Sequence, residues 1–115
     1  MAKKSVTIYH NPRCTKSRQT LALLREQGIE PEVVEYLETP PDAATIAGLL
    51  KKLAIEPIDL IRKKEHRELK LPPTDDPKEL IARMAAHPRI IERPIVVCGR
   101  AARLGRPPES VLEIL

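Results

Sequence analysis

Ser5-Val6-Thr7-Ile8-Tyr9-His10-Asn11-Pro12-Arg13-Cys14-Thr15-Lys16-Ser17-Arg18 starts as a strand, breaks at a turn and continues as a helix. Ser5 to Tyr9 is short and rich in β-branched residues, which suits a strand. Asn11-Pro12 interrupts it, because proline disfavours helix at the preceding residue and favours a turn. Strong helix formers run from Thr15 to Gln27, with Gly28 as the stop. On that helix Ser17, Leu21, Leu24 and Gly28 share one stripe, and Cys14 lies one turn before Ser17 on the same side. A cysteine therefore stands at a strand-to-helix junction. There the unpaired N–H groups and the positive end of the macrodipole favour a thiolate. Arg13, Lys16 and Arg18 add positive charge, and His10 adds more when protonated. Cys14 is the expected nucleophile.

Working outward, Glu32 to Leu37 reads as a second strand after a brief connection, which predicts a crossover and a parallel pair. Thr39-Pro40-Pro41 punctuates the chain, and Asp42 is expected to cap a helix reaching about Ala54, with Ile46, Leu49, Leu50 and Leu53 at helical spacing. Ile58 to Lys64 reads as a short helix ending in the basic triplet Arg62-Lys63-Lys64, and Leu69 to Thr74 as irregular chain. Asp75-Asp76-Pro77 marks another helix start, running to about Ala86. Residues from about 42 to 87 thus form a helical insertion. Pro94 to Cys98 and Ala101 to Leu104, joined at Gly99-Arg100, predict an antiparallel hairpin. Glu109 to Leu115 is expected to be a terminal helix, with Val111, Leu112 and Leu115 on one face. The expected fold is α/β, a single domain over residues 1–115. Its mixed four-stranded sheet carries the helical insertion between strands 2 and 3.

Composition narrows the function. With 115 residues, no Phe or Trp and only Tyr9 and Tyr36, the core must be aliphatic. The net charge of +4 is dispersed and has no interleaved aromatic residues to stack on bases, so no nucleic-acid partner is expected. Two cysteines far apart, outside any Cys-x-x-Cys pair, fit a reducing compartment. No stretch approaches the roughly 20 apolar residues that cross a bilayer, and the N-terminus has no leader pattern. A cytoplasmic protein without a membrane partner is expected.

Local spacing excludes several chemistries. Ser17 occupies the fourth position of Cys14-Thr15-Lys16-Ser17, so a dithiol cannot form there, and its hydroxyl is within one turn of the thiolate. A cysteine phosphatase loop would need arginine where Thr20 stands. Three scattered histidines make no zinc motif, and four dispersed glycines make no phosphate-binding loop. Cys98 reads as a core or strand-end residue. Arg93-Pro94 and Gly105-Arg106-Pro107 place arginines beside backbone-restricting residues, and the guanidinium fork suits oxyanions. By composition alone each of these arginines, taken singly, reads as an ordinary solvated one.

Taken together, His10-Asn11-Pro12-Arg13-Cys14-Thr15-Lys16-Ser17-Arg18 resembles the His-Asn-Pro-x-Cys-x-x-Ser-Arg signature of the glutaredoxin-coupled arsenate reductase family. Leu60-Ile61-Arg62-Lys63-Lys64-Glu65, Glu92-Arg93-Pro94-Ile95-Val96-Val97 and Leu104-Gly105-Arg106-Pro107-Pro108-Glu109 look like its other blocks, in the same order. The resemblance implies a thioredoxin-like sheet with a helical insertion. It carries the nucleophile onto Cys14 and oxyanion-binding arginines onto Arg62, Arg93 and Arg106. It also implies that His10 lowers the Cys14 pKa, with Ser17 beside it, and that Arg93-Pro94 is a cis junction. The implied reaction is reduction of arsenate, or a similar oxyanion, to arsenite. Glutathione is the implied co-substrate and glutaredoxin the partner, with no bound cofactor and no metal. Glutathione-dependent thiol chemistry on another substrate, and an Spx-like regulatory binding module, are the alternatives.

Overall fold

The computed structural model describes residues 5–115, and the chain divides into two compact units. The first unit runs to Thr39 and resumes at Arg93; the second spans Pro40–Glu92.

The first unit contains β1 (Val6–His10), α1 (Thr15–Glu26), β2 (Glu32–Glu35), β3 (Ile95–Cys98) and β4 (Ala101–Leu104). The sheet order is β2-β1-β3-β4. β1 pairs parallel with β2, with Ile8 opposite Val33, and antiparallel with β3, with Ile8 opposite Val96. β3 and β4 form the expected antiparallel hairpin, with Cys98 opposite Ala101. Gly99 takes the first position of its turn at φ +61°, a backbone region that costs a residue with a Cβ. The sheet is therefore mixed and four-stranded, as the alternation of the sequence predicts.

Alternation along β1 buries Val6, Ile8 and His10. Val6 and Ile8 join Val96, Cys98, Leu24 of α1 and Val111 in one aliphatic cluster. Its residues supply the apolar burial that holds the unit, worth about 1.5–3 kcal/mol for each large side chain taken fully out of water. Val111 belongs to Pro108–Ile114, the expected terminal helix, which is of 3₁₀ type. Seven residues entered through two prolines are too few for the longer hydrogen-bond ladder to propagate, and Ser110 N–H closes instead on the Pro107 carbonyl at 3.0 Å. The buried stripe of α1 is Ser17, Thr20 and Leu24, with Leu21 only half-buried and Gly28 exposed. β2 stops at Glu35 because the Glu38 and Thr39 N–H groups turn back onto the Glu35 carbonyl.

The second unit contains α2 (Ala43–Leu53), α3 (Lys63–Glu68), α4 (Pro77–Ala86) and 3₁₀ turns at Pro57–Leu60 and Pro88–Ile90. Asp42 and Asp76 cap α2 and α4, accepting from Thr45 N at 2.8 Å and Lys78 N at 3.2 Å. α2 packs against α4. The basic triplet does not end a helix. Ile61 forms an isolated bridge with Ile91, flanked by Arg62 N–H to Ile90 O and Glu92 N–H to Leu60 O, both 2.7 Å. Those bonds hold Ile61 and Arg62 extended, so α3 begins only at Lys63.

Candidate active site

The end of β1 and the start of α1 frame the Cys14 loop. Asn11 shapes the turn, with its carbonyl accepting from Cys14 N and its side-chain oxygen from Arg13 N, both at 3.0 Å. Cys14 is the N-cap of α1, with extended backbone and a half-buried side chain. Burial alone would raise its thiol pKa. The Ser17 N–H, the Arg93 charge, the Lys16 N–H and the Arg106 charge together outweigh burial, so the pKa is lowered. These N–H groups are the second and third of the helix, the ones an N-cap acceptor ordinarily satisfies.

Of the charge expected at the sulfur, the local residues do not supply the main part. Arg18 is turned onto the loop, with its Nη1 donating to Pro12 O at 2.8 Å and its Nη2 to Thr15 Oγ1 at 3.2 Å. The guanidinium that reaches Cys14 Sγ is Arg106, whose Nη2 lies 3.9 Å away. Its Nε donates to Arg93 O at 2.9 Å, and Gly105 N donates to Pro94 O at the same distance, so the two arginine-bearing segments are bonded to each other. The Arg93–Pro94 peptide is cis, and so is Arg106–Pro107.

His10 and Ser17 also meet. Ser17 Oγ accepts from Asn11 N at 3.0 Å and lies 2.7 Å from His10 Nδ1. With one oxygen position filled by Asn11, the hydroxyl proton is available to a neutral imidazole accepting at Nδ1. Burial lowers the His10 pKa, Glu35 opposes, and Arg25 and Arg18 reinforce the lowering. The residue is thus held neutral and tied to Ser17. Its link to Cys14 runs through the position of Ser17, whose N–H faces the thiolate.

Arg62 lies in the second unit at the N-cap of α3, where its guanidinium pairs with Glu65 and, at 3.8 Å, with Glu92. Its expected part as a third oxyanion ligand rests on its motif. Cys98 faces Val6, at the end of the sheet away from the Cys14 loop. A pocket of about 660 Å³ opens at that end, lined by Val6, Ile29, Cys98 and Leu115 among others. It shares no residue with the Cys14 loop, so charge and geometry, rather than cavity size, locate the site.

Residues 9–114 match the family model of the ArsC family. The chain belongs to the ArsC family. An arsenate reductase of Haemophilus influenzae is 44% identical to this ArsC-family chain over 115 residues, covering 96% of it and 99% of the relative. The uncharacterized protein YfgD of Escherichia coli K12 is 56% identical over 116 residues, covering 97% and 98%. The solved structure of an arsenate reductase from Vibrio cholerae superposes with a TM-score of 0.93 at 51% identity, covering 99% of this chain and all of its own. The ArsC-family sheet is thioredoxin-like, as expected. Among the described residues, no helix is long and apolar enough to cross a membrane.

One contributor escaped the sequence reading. Thr20 is fully buried and donates from Oγ1 to Lys16 O at 2.8 Å. Its position on the buried stripe of α1 was the available signal.

Proposed function

We propose that this ArsC-family chain is an oxidoreductase that reduces arsenate to arsenite, with Cys14 as nucleophile and glutathione and glutaredoxin as electron donors. The observation that carries the reading is the Cys14 sulfur, its pKa lowered at a helix N-cap, with the Arg106 guanidinium 3.9 Å away. A nucleophile beside fixed cations suits attack on a multiply charged oxyanion, because the cations offset charge repulsion. Arg93 and Arg106 supply that charge beside Cys14.

In the first step the Cys14 thiolate bonds to arsenic and an As–O bond breaks, its oxygen leaving as water after protonation. Glutathione thiolate displaces a second oxygen in the same way, giving an arsenic(V) bound to two sulfurs. A glutaredoxin thiolate then attacks the glutathione sulfur. The S–S bond of a glutaredoxin–glutathione mixed disulfide forms, and the As–S electron pair remains on arsenic, now arsenic(III). Water releases arsenite and regenerates the Cys14 thiolate. Two thiol sulfurs are oxidised for each arsenic reduced. The reaction uses no bound cofactor and belongs in a reducing compartment, the cytoplasm.

The test is a coupled assay in which glutathione reductase reports oxidised glutathione. Arsenate-dependent turnover is expected with glutathione and glutaredoxin present, lost in Cys14→Ser and retained in Cys98→Ser. An intact protein that shows no arsenate-dependent turnover overturns the reading.

A further inference from the structure

The segments that deliver charge and N–H groups to Cys14 converge on one point inside the first unit, the space beside Gly105. Gly105 is buried, and its N–H is bonded to Pro94 O at 2.9 Å. Its φ is not in the left-handed region, so no backbone requirement calls for glycine. Space does. A Cβ built there would overlap Thr20 Oγ1, sit 2.7 Å from Pro94 Cγ and 3.1 Å from Thr20 Cγ2, well inside ordinary contact. Thr20 in turn is fully buried and bonded to the carbonyl of Lys16, one of the residues whose N–H favours the thiolate. The next residue after Gly105 is Arg106, which reaches the sulfur.

We infer that Thr20 and Gly105 form a spacer that sets how closely Arg106 approaches the Cys14 sulfur. Neither touches the reacting atoms, and both act through other residues, so they are positioning residues. Thr20 fixes the first turn of α1 from below through Lys16. Gly105, by having no side chain, lets the Arg106 segment lie directly against Thr20. A close-packed interior transmits a displacement of this kind, because there is no slack volume to absorb it. A methyl group at Gly105 must push its segment away from α1, and with it the Arg106 guanidinium.

The inference deepens the proposed function, since it rests on Cys14 as nucleophile, yet its readout needs no arsenate. The experiment measures the alkylation rate of Cys14 by iodoacetamide against pH, read by mass spectrometry, with thermal melting as a control for folding. Gly105→Ala should displace the profile to higher pH and lower the rate at pH 7 about threefold, the thiolate being the reactive form. Thr20→Ala removes both overlapping atoms of Thr20 and leaves the Pro94 Cγ contact, so the double variant should recover part of that loss. Thr20→Val, which places a methyl group where the hydroxyl meets Gly105, is the milder probe if Gly105→Ala does not fold, and should shift the profile in the same direction. A folded Gly105→Ala with the wild-type profile overturns the inference, as does a double variant without recovery or, where Gly105→Ala does not fold, an unmoved Thr20→Val. If the profile moves as expected while the wild type turns over no arsenate, the spacer stands and the proposed substrate falls.

Discussion

Replacing Arg106 by alanine should weaken the thiolate at Cys14 by an amount that the structure sets. The guanidinium Nη2 lies 3.9 Å from the sulfur. Two unit charges at that separation attract by about 1 kcal/mol in bulk water and about 4 kcal/mol at an effective dielectric constant near 20. Arg106 is exposed and solvent screens it, so the lower figure applies. Removing about 1 kcal/mol of thiolate stabilisation raises the Cys14 pKa by about 0.7 and cuts the thiolate fraction on the acid side about fivefold. The assay is again alkylation against pH, which should shift to the alkaline side by that amount. High salt should narrow the gap between wild type and variant, because the screening length falls to about 3 Å at 1 M. Arg93→Ala should shift the profile further, since the Arg93 charge acts on Cys14 more strongly than that of Arg106. Superimposable profiles for wild type and Arg106→Ala would refute the electrostatic account of the site.

The lowered His10 pKa makes a second, pH-dependent prediction. A base held neutral in the fold contributes stability that is complete above its ordinary value of 6.5 and is lost as pH falls through the lower folded value. Urea unfolding between pH 7.5 and 4.5 should therefore show a shallower acid loss in His10→Asn than in the wild type, and equal slopes would count against a neutral His10. In the second unit, nearly buried Arg83 donates to Pro72 O at 2.6 Å and Glu79 at 3.2 Å, with His66 Nε2 at 3.1 Å. Arg83→Met removes the charge-assisted bond to the Pro72 carbonyl and should cost about 2 kcal/mol of stability, measured by urea unfolding, with faster proteolysis near Pro72. No change in either measurement would show that the Arg83 cluster does not hold that loop.

Much of the fold was legible because its signals are local. β-branched residues before Asn11-Pro12, a glycine after Gln27, and Asp42 and Asp76 each ahead of a helical pattern mark ends that the structure places within a few residues. The extended stretch at Ile61 and Arg62 was not legible. Its partner, Ile91, lies thirty residues further on, and nothing in Ile58 to Lys64 announces the bridge. Distance in sequence also hid the chemistry of Cys14. Arg13, Lys16 and Arg18 look like its cationic neighbours, whereas the side chain at the sulfur is Arg106, 92 positions away. Arg93 and Arg106 stood out beside prolines, but only the resemblance of whole motifs tied them to Cys14 beforehand. The contact of Thr20 with Gly105 gave no sign, because a need for empty space appears only when two segments meet.

Cys98 stands opposite Val6, and the Cys14 loop leaves the other end of the same strand. Four residues of β-strand separate Val6 from His10 by about 13 Å, beyond the reach of a disulfide, which needs Cα atoms within about 7 Å. The two thiols therefore cannot discharge into each other. Any oxidation at Cys14 is an open circuit that only a second molecule can close. The chain's two cysteines thus hold no internal store of oxidising equivalents.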